Sequence, residues 1–232
     1  SFHKTNKLIV NTKINSIVQL NNDLLDSVIV KSPYSDIIPF LSEHIQLSDQ
    51  ILFLGASTDM SLSLLKDGYG TKLTGRLTVI DNNNALVNDL NKVVSNDIDL
   101  KKYLGNRLSI HKVDESNLSS ICKQSTFDSI VDYGLLDSIL LSDKPDKYKT
   151  FLNYIDNLQN AVRLGNILIC LSTIDKEIFC KPFEERFGWV QELDGDPGEI
   201  SQWYRGKTNI QATASNFKKH GLKMYVYTNT DN

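Results

Sequence analysis

The feature that most constrains the fold is a regular alternation of short apolar segments with segments that have helical spacing. The apolar segments are ILFLG (51–55), RLTVID (76–81), RLSIHKVD (107–114), FDSIVD (127–132) and GNILICLST (165–173). Short apolar runs of this kind are typical of strands buried on both faces, as in parallel sheets. Five strand–helix units in succession therefore predict an α/β domain with a doubly wound, mostly parallel sheet.

The helical segments show recognisable ends. Apolar residues at helical spacing predict a helix over 35–47, in whose first turn we expect Pro39. A second helix should begin with Thr58 as its N-cap and stop at Gly68. A long stripe from Pro145 to Val162 predicts another helix, and the segment 176–188 predicts one interrupted near Pro182.

The two last strand-like segments, WVQEL (189–193) and KMYVYTN (223–229), are joined by a polar loop without a clear long helix. A parallel crossover needs about a dozen residues or more, usually as a helix, so an antiparallel pair is the better prediction here. The loop at 194–209 carries two aromatic residues and an arginine, a composition that suits either recognition of a protein or simple anchoring of the loop.

Length and composition set broad limits on organisation and partners. We divide the 232 residues into an N-terminal extension, residues 1–34, and one domain over 35–232. A net charge of −3 gives no broad basic field, and no apolar run approaches the roughly 20 residues of a membrane span. We therefore expect a cytoplasmic protein without nucleic-acid or membrane partners, and the sequence leaves its oligomeric state open.

The sequence lacks the residue patterns that several kinds of site require. The three cysteines have no CxxC spacing, which favours reduced intracellular thiols, and the four histidines are scattered without metal-ligand spacing. No G-x-S-x-G elbow occurs, so hydrolase chemistry is not predicted. We expect no metal in the site.

Acidic residues end three of the predicted strands: Asp81, Asp114 and Asp132, with Asp137 five residues after the last. Ligands of open α/β sheets bind at the carboxyl ends of the strands, where an acid after the second strand can accept bonds from ribose hydroxyls. An acid after the third strand can accept from an adenine amino group. Aspartate alone is also a common helix cap, but three in register favour a nucleoside site.

The turn after the first strand restricts which nucleoside is bound. Its sequence is GASTDM, which lacks the glycines of G-x-G-x-x-G, and the chain has no Walker A motif. A pyrophosphate site is therefore not predicted. A cofactor with ribose and adenine but no phosphate fits better, and S-adenosylmethionine is the obvious member of that class.

At this point the chain resembles the class I (seven-strand) methyltransferases, and more narrowly the methyltransferase-like 13 group, which includes protein methyltransferases acting on translation elongation factor 1A. The most specific match is IVDYGLLDSIL (130–140), beside the family pattern (V/L)-D-K-G-(T/L)-L-D-(A/S). Further matches are ILFLG, DGYG, the acids of VID and KVD, GNILICLS and FEERFGW. The resemblance covers roughly residues 35–229 and implies a Rossmann-like fold with seven strands and an antiparallel last strand.

The resemblance also implies a function and a site. The expected activity is methyl transfer from S-adenosylmethionine to a protein amine, either lysine or an N-terminus, with elongation factor 1A as a possible substrate. Gly55 and its neighbours would line the methionine end, and Asp132 and Tyr133 are the catalytic candidates beside the methyl group. Cofactor-binding candidates are Gly55, Ala56, Ser57, Asp59, Asp81, Asn82, Asp114, Glu115 and Asp132.

The chain departs from the family pattern at two of these positions. Ser57 stands where a second glycine is expected, and Tyr133 stands where the family has lysine. A side chain in the glycine turn limits how closely the backbone can approach a cofactor. Two other readings therefore stay open: an interaction protein that keeps the fold without catalysis, and a methyltransferase acting on a small molecule.

Overall fold

The structure is a computed structural model that describes residues 34–187, 189–193 and 221–230. Its centre is a seven-stranded sheet with the order β3-β2-β1-β4-β5-β7-β6. The strands are β1 (Gln50–Leu54), β2 (Arg76–Asp81), β3 (Leu108–Lys112), β4 (Phe127–Tyr133), β5 (Val162–Ser172), β6 (Trp189–Leu193) and β7 (Lys223–Thr228).

Helices connect the strands in chain order. They are α1 (Tyr34–Leu41), α2 (Thr58–Lys66), α3 (Asn84–Asn96), α4 (Ile98–Leu104), α5 (Leu118–Ile121), α6 (Leu135–Leu140), α7 (Lys147–Ala161), α8 (Lys176–Phe179) and α9 (Lys181–Glu184). The interruption expected near Pro182 is confirmed, because α8 ends at Phe179 and Pro182 lies in the first turn of α9.

Strand pairing confirms the predicted topology. The pairs β1–β2, β2–β3, β1–β4 and β4–β5 are parallel, whereas β7 is antiparallel to both β5 and β6. Strand order reverses between β1 and β4, where Leu54 pairs with Asp132. The carboxyl ends of β1, β2 and β4 therefore meet at the switch point, where ligands of such sheets bind.

Each face of the sheet has its own hydrophobic core. Successive residues of a strand point to opposite faces, so Phe53, Val131 and Ile169 belong to one cluster, together with residues of α1, α2 and α3. Leu52, Ile130 and Leu168 belong to the other, which α6 and α7 cover. Side chains such as Phe53 are fully buried, which is worth roughly 1.5–3 kcal/mol each.

Three details of the helices differ from expectation. Pro39 lies in the second turn of α1, not the first, which costs that short helix one backbone hydrogen bond. Ser57, not Thr58, caps α2, and Thr58 instead bonds Asp89 on α3 through its hydroxyl, at 3.3 Å. Val162 is the first residue of β5, because the strand begins directly where α7 ends.

Some predictions fall outside the described residues: those on residues 1–33, which hold nearly all of the proposed N-terminal extension, and that on the loop at 194–209. Within the described ranges, no helix has the length and apolar character that crossing a membrane requires. All three cysteines are free and buried, and burial raises the pKa of the Cys122 thiol to about 12. The same ranges hold no cluster of His, Cys, Asp and Glu suited to a metal ion.

Candidate functional site

A cleft of about 440 Å³ opens beside the carboxyl ends of β2 and β3. This volume falls within the range of roughly 300–1,000 Å³ that is typical of small-molecule sites. One wall comes from the loops after β2 and β3, and the other from α6 and the start of α7. Among the residues that line it are Asn82, Asp114, Glu115, Ile139, Thr150 and Tyr154.

Asp81 lies at the end of β2, next to the cleft, and is 4% exposed. Its Oδ2 accepts a bond from the Ala56 amide at 2.7 Å, and its Oδ1 accepts one from the Asn83 amide at 2.8 Å. Burial raises the pKa of this carboxyl, and the backbone bonds partly offset that rise. The Asn82 amide donates a third backbone bond to this carboxyl. Since a carboxylate has about four acceptor positions, three bonds leave about one for a ligand.

Asp114 and Glu115 lie just beyond β3, exposed at the cleft. Asp114 Oδ1 accepts bonds from the Ser116 hydroxyl and amide, which lower the pKa of the carboxyl. Its Oδ2 accepts no bond from the part of the chain that the structure describes. Glu115 accepts a bond from the Thr150 hydroxyl of α7 and so joins the two walls of the cleft.

Gly55 is required where the first turn touches β4. Its φ is +122°, and a Cβ there would lie 2.8 Å from the carbonyl oxygen of Tyr133. Such a contact is shorter than real Cβ atoms tolerate, and the positive φ disfavours any side chain. Gly55 is therefore needed for the turn to pack closely against β4, independently of any ligand.

Ser57 directly precedes α2, and Asp59 lies in the first turn of that helix. Ser57 has φ −67° and ψ 117°, an ordinary extended conformation, and its hydroxyl accepts the Met60 amide at 3.3 Å. Asp59 accepts a bond from the Ser63 hydroxyl, also at 3.3 Å. The turn therefore needs no second glycine for its backbone geometry.

Asp132, a predicted catalytic and cofactor-binding residue, is buried beneath α6 in this structure. It is 0% exposed, and its Oδ1 accepts the amides of Leu135 and Leu136 at 3.0 and 3.3 Å, which caps α6. Its side chain points to the sheet face that α6 and α7 cover, and α6 starts only two residues after β4. Oδ2 is buried without a hydrogen-bond partner in the described ranges, and burial, then Asp137, raise the pKa of this carboxyl.

Asp137 connects α6 to the end of β5 through hydrogen bonds. It lies in the first turn of α6 and accepts bonds from the Ser172 hydroxyl at 2.6 Å and the Thr173 amide at 2.7 Å. These bonds fix α6 against the end of β5. The side-chain bonds to the first amides of α6 come instead from Asp132.

Tyr133 lies beside the glycine turn and away from the cleft described above. Its ring stacks on Phe53 with centroids 5.9 Å apart, and its Cβ is 3.4 Å from the position of a Cβ on Gly55. Burial, then the nearby Asp59, raise the pKa of its hydroxyl. The predicted residues thus form two groups: Asn82, Asp114 and Glu115 with Asp81 at the cleft, and Gly55, Asp59 and Tyr133 along the same edge.

The sequence prediction missed Tyr154 of α7, which lines the cleft. Helical spacing places it on the stripe that also carries Phe151, Ile155 and Leu158, so it reads as an ordinary core residue. Its polar hydroxyl was the one signal on that stripe that pointed to a different role.

No family model and no curated protein matches the chain. Solved structures do. The N-methyltransferase NodS from Bradyrhizobium japonicum WM9, in complex with S-adenosyl-L-homocysteine, has a TM-score of 0.55 at 14% identity, over 96% of this chain and 99% of NodS. The cyclase SpnF has a TM-score of 0.55 at 12% identity, over 96% and 94% of the two chains.

An S-adenosylmethionine-dependent O-methyltransferase from Thermotoga maritima has a TM-score of 0.51 at 15% identity, over 85% of this chain and 65% of the other. At these identities the likeness concerns the fold, which a cyclase shares with methyltransferases. The chain has the Rossmann-like fold of the class I methyltransferases.

Proposed function

We propose that this chain is an S-adenosylmethionine-dependent methyltransferase that acts on a protein amine. One observation carries the proposal: Asp81, the last residue of β2, and Asp114, two residues beyond the end of the neighbouring parallel strand β3, lie beside a cleft at the edge where strand order reverses. Carboxylates so placed suit the hydroxyls and amino group of an adenosine. Fold likeness to cofactor-binding methyltransferases adds support.

The residues at the cleft fit the nucleoside part of this cofactor. Asp81 keeps about one acceptor position for a ribose hydroxyl, and Asp114 Oδ2 is open for an amino group. Ile139 supplies an apolar surface for a base. Among the described residues that line the cleft, the lysines Lys144 and Lys147 are outnumbered by the acids Asp114, Glu115 and Asp146, which does not suit a pyrophosphate.

The methionine part would lie along the glycine turn. Gly55 and Ala56 form that turn, Asp59 stands at the start of α2, and Tyr133 packs beside them. Because Ser57 directs its hydroxyl to its own helix, the serine does not by its conformation exclude a ligand. These contacts support the turn as the second half of the binding site.

The bound cofactor supplies an electrophilic methyl group on a sulfonium. The protein's contribution is to position it and the acceptor, and to keep the acceptor amine neutral. The face of Tyr133 is the group that we assign to the cationic sulfonium. Asp132 is a positioning residue, because it holds the start of α6 through the amides of Leu135 and Leu136 and is itself buried.

The assignment of a protein amine as acceptor rests on the resemblance of IVDYGLLDSIL to the group that methylates elongation factor 1A. Incubation of the protein with methyl-tritiated S-adenosylmethionine and cell lysate, followed by separation by size, tests it. We expect label in protein that resists base, as an N-methyl group does. Label confined to small molecules would favour the small-molecule alternative.

One observation favours a second candidate, an interaction protein without catalysis. Asp81 is nearly buried, and both of its oxygens already accept backbone bonds from Ala56 and Asn83. Such a site could be closed to a ribose. The two candidates differ in their affinity for the cofactor: the second predicts that folded protein binds neither S-adenosylmethionine nor S-adenosylhomocysteine.

A further inference from the structure

Tyr154 combines deep burial with access to the cleft. Its side chain is 1% exposed and belongs to the hydrophobic cluster that α7 contributes to one face of the sheet. At the same time the residue lines the cleft, with Asp114 and Glu115 on the facing wall. The exposed sliver of this tyrosine therefore lies toward the space where a ligand would bind.

The hydroxyl of Tyr154 has unused hydrogen-bonding capacity. It neither donates to nor accepts from any group among the described residues. By contrast, Tyr225 and Tyr227 bond the Ile174 carbonyl and the Cys180 thiol. Buried tyrosine hydroxyls usually find a partner, so this one is suited to a ligand atom in the cleft.

The charges around the hydroxyl favour its role as a donor. Carboxyl groups near it are those of Asp81, Asp114 and Glu115, from the ends of β2 and β3. Burial, then these acids, raise the pKa of the Tyr154 hydroxyl, so that it keeps its proton at neutral pH. The acids can only accept hydrogen bonds, whereas the protonated hydroxyl can donate one. The two kinds of group together match a nucleobase, which offers both amino donors and ring-nitrogen acceptors.

We propose that Tyr154 is a specificity residue whose hydroxyl donates a hydrogen bond to a ring nitrogen of the base bound in the cleft. The inference rests on the proposed function, since it assigns the cleft to the adenosine part of the cofactor. Asp114 reads the amino group of the base and Tyr154 reads a ring nitrogen. Together they distinguish adenine from bases that lack this pair of groups.

The test is a titration of S-adenosylhomocysteine into wild-type protein and Tyr154→Phe. The substitution keeps the ring and removes a hydroxyl that has no partner in the described ranges, so the melting temperature should be unchanged. We expect binding to weaken about five- to tenfold, the effect of one hydrogen bond. Tyr148→Phe is the matched control, because Tyr148 lies on the same helix, is 54% exposed and does not line the cleft.

Analogues with a single ring nitrogen replaced by C–H, at position 1, 3 or 7, locate the bond. One analogue should bind wild type more weakly than S-adenosylhomocysteine does. The same analogue should bind wild type and Tyr154→Phe with equal affinity, because it lacks the nitrogen that the hydroxyl contacts. Equal affinity of both proteins for S-adenosylhomocysteine would overturn this inference alone. So would a result in which Tyr154→Phe weakens the binding of every analogue by the same factor as it weakens the binding of S-adenosylhomocysteine. Absence of binding to folded wild type would overturn the proposed function as well.

Discussion

Asp132 and Asp137 show how two aspartates five residues apart acquire different tasks from their surroundings. Asp132 ends a strand on the face that α6 covers, so it meets the free amides at the start of that helix. Asp137 meets the hydroxyl and amide groups at the end of β5. The sequence shows two acids at and after the end of a buried strand, but not what each side chain meets, and so their roles could not be assigned.

The buried Asp132 should make stability depend on pH. Its folded-state pKa is raised above the unfolded value of about 3.9, so folded protein holds a proton that the unfolded chain has released. Its contribution to stability is therefore lost as pH rises above about 4. Asp132→Asn keeps the cap without charge, and we expect it to gain about 1–3 kcal/mol relative to wild type between pH 4 and pH 8.

Chemical denaturation at both pH values measures this difference. Asp132→Ala is the matched control, because it removes the acceptor for Leu135 and Leu136 and should lose about 1–2 kcal/mol even at pH 4. A difference between Asp132→Asn and wild type that stays constant with pH would show that the buried carboxyl does not titrate as described.

Gly55 offers a second prediction at the level of one residue. Gly55→Ala must place a Cβ 2.8 Å from the Tyr133 carbonyl at a φ of +122°, whereas Gly105→Ala has a φ of +55° and nothing within 4 Å. We expect Gly55→Ala to lower the free energy of unfolding by about 1–3 kcal/mol more than Gly105→Ala. Urea denaturation measures both, and equal losses would mean that the contact with β4 is not tight.

At the level of elements, strand and helix positions follow from periodicity, whereas ends and contacts do not. The five strand–helix units and the antiparallel last strand were predictable because buried strands and amphipathic helices have different spacing. Neither the place of Tyr154 at the cleft nor the burial of Asp132 under α6 could be predicted, because helical or strand period says which face a residue shares and not what lies opposite it. The cleft depends on that opposite wall, formed by α6 and α7.

The start of α2 supplies a prediction at this scale. Ser57→Ala removes the cap for the Met60 amide and should cost about 1 kcal/mol, while Ser57→Gly should cost only a few tenths. Thermal or urea unfolding separates the two variants, and a neutral Ser57→Ala would show that this cap bond contributes nothing.

At the level of the whole molecule, sheet order gives the strand-end acids a common location. The order β3-β2-β1-β4 brings the ends of β2 and β3 together beside the reversal between β1 and β4. That placement was predictable from the acids and the topology rules. Whether the acids stay open to a ligand was not, because it depends on the bonds that Asp81 makes to Ala56 and Asn83.

Calorimetric titration of S-adenosylhomocysteine into folded protein tests the central claim most directly, with Asp81→Asn as the paired variant. The account predicts one site per chain in wild type and binding weakened roughly tenfold or more in the variant, since hydrogen bonds to a charged group are worth about 1.5–3 kcal/mol. Folded wild type that shows no heat of binding with the cofactor in large excess would contradict it.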